Sequence, residues 1–79
     1  MHLQIQGQAF STEKDAVTIV KSIIKTKCEE EPTIQDAHCK NILGNDDSTK
    51  VCYVSTNVGY FFVMKDMLDS VNVIFNRWD

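Results

Sequence analysis

The sequence predicts one α+β domain, with a long helix and a short second helix packed on a three- or four-stranded antiparallel meander in the order β-α-α-β-β-β. Three observations carry this. Apolar residues recur at helical spacing between residues 16 and 28, and three runs rich in β-branched and aromatic residues follow residue 50. The 79-residue length allows a single core, because chains divide into several domains only at a few hundred residues. The hydrophobic fraction of 43% and charged fraction of 24% are those of a globular domain, which sets aside disordered and low-complexity classes.

Leu3, Ile5, Gly7 and Ala9 alternate with Gln4, Gln6 and Gln8, a period of two that suggests a first strand with one polar face. Thr12 and Asp15 then form a capping-box pair, and the acid also suits the positive end of a helix dipole. From Glu13 to about Glu30 the apolar positions 16, 17, 19, 20, 23, 24 and 28 make one stripe, and Lys14, Lys21, Lys25 and Lys27 lie off it. Several of these residues are β-branched, so packing of the stripe rather than intrinsic propensity must hold this helix. Pro32 bars its continuation, and the helix has to end by residue 31.

Thr33 and Asp36 repeat the capping arrangement, and Ile34, Ala37, His38, Ile42 and Leu43 can line one side of a second helix that Gly44 closes. Turn formers Asn45, Asp46, Asp47 and Ser48 follow. The runs Lys50 to Thr56, Tyr60 to Asp66 and Val71 to Trp78 read as strands, and their connections are too short for crossover helices, so they must run antiparallel. A three-residue loop Asn57-Val58-Gly59, with the glycine left-handed, would pair Thr56 with Tyr60. A four-residue loop over 67–70 would pair Asp66 with Val71.

These registers put Cys52, Val54, Tyr60, Phe62, Met64, Val71, Val73 and Phe75 on the face beneath the helix. The opposite face then carries Val51, Tyr53, Phe61, Val63, Ile74 and Trp78, mixed with Asn72 and Asn76. So apolar a face is unusual on a monomer. Either the second helix or the N-terminal segment covers it, or it meets a protein partner or a second copy of the chain, with Tyr53, Phe61 and Trp78 as anchors.

Charge narrows the classes of partner. Eight basic residues stand against eleven acidic ones, a net charge of -3, and neither half of the chain is a basic arm, which disfavours capture of nucleic acid or anionic lipid. Val58-Gly59-Tyr60-Phe61-Phe62-Val63-Met64-Lys65 shares Gly, Tyr, Phe and Val with the aromatic strand of RNA-recognition sheets. It lacks the initial basic residue and has Lys65 at the final aromatic position, so it reads as a central strand. No stretch reaches the roughly 18 apolar residues of a membrane span. The segment MHLQIQGQAF has neither a basic n-region nor a long apolar h-region. A chain whose Met1 is native is then cytoplasmic, and a processed mature form is exported.

Candidate chemistry is sparse. Cys28, His38, Cys39 and Cys52 are the residues of metal-ligand type that a fold might gather, but their spacing lacks the paired knuckles of zinc sites, so neither metal nor cofactor is expected. Three cysteines fit reduced buried thiols, or one disulfide with a spare thiol; in an oxidising compartment the pairings are Cys28 with Cys39 or Cys39 with Cys52. The reading that follows is a small protein-binding or regulatory module acting through its sheet, on a protein partner or on a second copy as a homodimer. The alternative is a small thiol-dependent or metal-assisted enzyme using His38 and a cysteine, though His38 and Cys39, as helix neighbours, would point about 100° apart.

Overall fold

The computed structural model describes residues 2–6, 10, 12–41, 50–65 and 70–78. It is an α+β fold in which one helix, α1 (Glu13–Ile23), packs on a five-stranded antiparallel sheet. The strands are β1 (His2–Gln6), β2 (Ile34–Asn41), β3 (Lys50–Thr56), β4 (Gly59–Lys65) and β5 (Ser70–Arg77), in the spatial order β1-β5-β4-β3-β2. The meander therefore runs back from β2 until β5 lies beside β1, and β4 is the central strand. Gly7, Ala9, Ile42, Leu43, Gly44 and Asp66 lie outside the described residues.

α1 begins as its sequence dictates. The Thr12 hydroxyl accepts from the Asp15 N–H at 3.2 Å, and the Asp15 carboxylate accepts from the Thr12 N–H at 3.2 Å. Ala16, Ile19, Val20, Ile23 and Ile24 are buried against the sheet. Over Ile24–Cys28 the helix widens into a π turn in which the Glu29 N–H reaches back to the Ile24 carbonyl. Glu29 then takes a left-handed φ of 55° and ends it. Phe10, given no role in the sequence reading, is buried where the chain enters the helix.

The second helix does not form: residues 34–41 are strand β2, antiparallel to β3. Thr33 caps nothing; its N–H donates to the Asn57 Oδ1 at 2.8 Å and its carbonyl accepts from the Asn57 N–H at 3.1 Å. A bulge explains why the segment mimics a helix. Ile34 pairs with Thr56 and Asp36 with Ser55, so Gln35 is an extra residue. Ile34 and Ala37 thus both face the core three positions apart, the interval a helix would show.

Both hairpin registers differ by one residue from the sequence expectation. Ser55 pairs with Tyr60, and Lys65 with Val71. The two shifts cancel for β5 and invert β4 alone. Cys52, Val54, Val71, Val73 and Phe75 lie in the core as expected, but their β4 companions are Phe61 and Val63, not Tyr60, Phe62 and Met64. Phe61 stacks on Phe75 with ring centroids 4.4 Å apart.

For the β3–β4 hairpin the cause is the turn. The buried Thr56 hydroxyl accepts from the Val58 and Gly59 N–H groups, each at 3.2 Å, and donates to the Gly59 carbonyl at 2.7 Å. It thereby closes a two-residue loop without positive φ at Asn57 or Val58. Gly59 is not left-handed either. It is required for space, since a Cβ there would meet Phe75 Cε1 at 2.7 Å and Arg77 Cα at 2.8 Å on β5.

Cys39 and Cys52, register partners on the helix side, form a disulfide across β2 and β3 that closes a loop of sequence separation 13. Cys28 is a free, half-buried thiol packed against the same core. Thiol titration of the denatured protein is therefore expected to find one reactive cysteine before reduction and three after it. A loop of this length makes reduction cost about 3 kcal/mol in urea denaturation. Thr56→Val strands two amide donors and is expected to cost about 2 kcal/mol or more, whereas Thr56→Ser keeps most of that stability.

Candidate functional site

α1 covers one face of the sheet and leaves the other without a helix among the described residues. Alternation along the strands decides what stands there. One row crosses the whole sheet by register: His38 on β2, Tyr53 on β3, Phe62 on β4, Ile74 on β5 and the position of His2 on β1. A second row runs Lys40, Val51, Met64, Asn72, Gln4, and a third runs Asp36, Ser55, Tyr60, Asn76.

The aromatic members form a connected cluster. The Tyr53 ring lies 5.4 Å from His38, 5.4 Å from Phe62 and 6.0 Å from Tyr60. Tyr60 meets Phe62 edge-on at 5.8 Å and Trp78 at 5.2 Å. Such pairs contribute about 0.5–1.5 kcal/mol each beyond simple burial, so the rings hold one another in place. They remain accessible: Tyr53, Tyr60, Phe62 and Met64 are half-buried, while Ile74 and Trp78 are 38% and 44% exposed.

Trp78 is fixed at the end of β5. Its N–H donates to the Val58 carbonyl at 3.1 Å, and its indole Nε1–H donates to the Thr56 carbonyl at 2.7 Å. The Arg77 guanidinium lies 3.1 Å from the Glu30 carboxylate. At the β2 edge the His38 Nδ1 lies 3.3 Å from an Asp36 carboxylate oxygen, both side chains being well exposed.

The structure brings Val51, Tyr53, Ile74 and Trp78 together on the open face. Phe61 and Val63, assigned to that face from sequence, instead lie in the core with no exposed surface. The places expected for them are taken by Phe62, Tyr60 and Met64, and His38 joins from a strand that reads as helix in the sequence. The signal that would have located them is Thr56, whose hydroxyl permits the shorter turn.

His38 and the cysteines do not converge. His38 stands on the open face, while Cys28 packs on the helix side and Cys39 and Cys52 are bonded to each other. Among the described residues no three His, Cys, Asp or Glu side chains gather as metal ligands. No helix among them is long and apolar enough to cross a membrane. Comparison with protein-family models, curated proteins and solved structures returns no match for the chain. The class that the fold defines is thus a small α+β domain with a helix on one sheet face and, among the described residues, none on the other.

Trp78 is the sole tryptophan, so its fluorescence reports this surface directly. Tyr60→Ala is expected to shift Trp78 emission to the red by removing the ring at its side, with circular dichroism unchanged. Trp78→Phe loses the indole hydrogen bond and is expected to lower stability by about 1 kcal/mol in urea.

Proposed function

We propose that the chain is a small protein-binding or regulatory module that engages a protein partner through the open face of its sheet. The observation that supports this reading is the connected row His38, Tyr53, Phe62 and Ile74, extended by Tyr60 and Trp78, which holds aromatic surface in fixed positions on the side away from the helix. Its layout matches that of a protein interface. Half-buried aromatics and Met64 occupy the middle, and exposed Asp36, Lys40, Gln4 and Asn76 stand around them. Rigid aromatic side chains are efficient anchors because little conformational entropy is lost when they are buried. The net charge of -3 weighs against nucleic acid as the occupant, since phosphate contacts need clustered cations.

Neighbouring residues on β4 test the reading. Phe62→Asp puts a charge on the open face and is expected to abolish capture of partners from the native host while the fold is retained. Phe61→Asp puts the same charge in the core and is expected to unfold the domain. Retention of every partner by folded Phe62→Asp protein would refute the proposal.

A further inference from the structure

We propose that the outer edge of β1 pairs antiparallel with β1 of a second copy, joining the two five-stranded sheets into one. This contact is made by the backbone edge of β1, and the inference does not rest on the partner-binding reading.

The sheet ends at two strands, β1 and β2. Edge strands expose a row of backbone donors and acceptors, and proteins that stay monomeric blunt them with charges, proline or bulges. β2 is blunted in this way: it carries the bulge at Gln35 and the exposed charged residues Asp36 and Lys40. β1 carries no such device. His2–Gln6 includes no Asp, Glu, Lys, Arg or Pro, and all five residues pair with β5 in unbroken register from His2↔Ile74 to Gln6↔Ser70. Among the described residues nothing pairs with its outer side.

The strand is also self-complementary. A twofold axis through Gln4, normal to the sheet, places Leu3 opposite Ile5 of the copy, Gln4 opposite Gln4, and His2 opposite Gln6. Core-face positions then meet core-face positions and polar ones meet polar ones, as cross-strand pairing requires. Leu3 is half-buried at the margin of the core, and the exposed Gln4 side chains can bond to each other. The axis keeps both helices on one side, so the two open faces become one continuous surface. A five-residue ladder is a small contact, which makes the dimer weak and concentration-dependent.

Sedimentation equilibrium tests this on the intact chain. The mass is expected to rise from 9.0 kDa toward twice that value with concentration. Gln4→Lys and Gln4→Glu each set like charges face to face at the axis and are expected to weaken association about fivefold, with circular dichroism unchanged. An equimolar mixture of the two variants is expected to restore it. The inference is overturned by a 9.0 kDa mass at every concentration up to about 1 mM, or by association that neither variant alters. It is overturned equally if Phe62→Asp alone abolishes association, which would place the contact on the open face. Phe62→Asp separates the two readings, because it leaves every β1 residue in place: partner capture is expected to be lost while self-association is retained.

Discussion

One hydroxyl group decides which side of the protein each residue of the central strand occupies. The Thr56 side chain satisfies two amides and one carbonyl of its own turn, so β3 and β4 can join through two residues without left-handed backbone. A loop one residue longer would exchange every side chain of β4 between core and solvent. Phe61 and Val63 would leave the core, and Tyr60, Phe62 and Met64 would lie under the helix. The same corner recruits its surroundings. Asn57 binds the segment leading into β2 through Glu31 and Thr33, Gly59 lets β5 approach, and the Trp78 indole donates to the Thr56 carbonyl. The core and the aromatic row are therefore two results of one local geometry.

A chain of 79 residues has little apolar surface to spare for its core, and β2 shows how the deficit is met. Its core contribution is modest: Ile34, Ala37 and Cys39 are partly buried rather than enclosed. The Cys39–Cys52 bond fastens this edge strand covalently to β3. That bond limits the entropy of the unfolded chain, a contribution that burial alone would struggle to supply in so small a domain. With Cys39 and Cys52 bonded to each other, Cys28 is the free thiol and lies beside the core.

Much of this was legible in the sequence. The capped helix, its buried stripe and its end before Pro32 follow from spacing, as do three antiparallel strands and the α+β class. Two of the features that escaped have a physical reason in the structure. The bulge at Gln35 gives β2 core positions three residues apart, which periodicity alone cannot tell from a helix. The β3–β4 turn depends on a side chain bonding to the backbone, whereas loop rules consider backbone angles first. A second sheet face with apolar character was nevertheless foreseen, because β3 and β5 kept their parity. Tyr53, Val51, Ile74 and Trp78 stand there as read, and the error fell on Phe61 and Val63 together with their neighbours.

The proposed partner surface rests on the parity of β4, so that parity is the point to measure. Nuclear Overhauser contacts from the Phe61 and Phe62 rings read it directly. Contacts from Phe62 to Tyr53 and Tyr60, with contacts from Phe61 to Phe75 and the core valines, are the pattern this account requires. Contacts from the Phe62 ring to Ile19, Val20 or Ile23 of the helix would contradict it and return the aromatic row to the core.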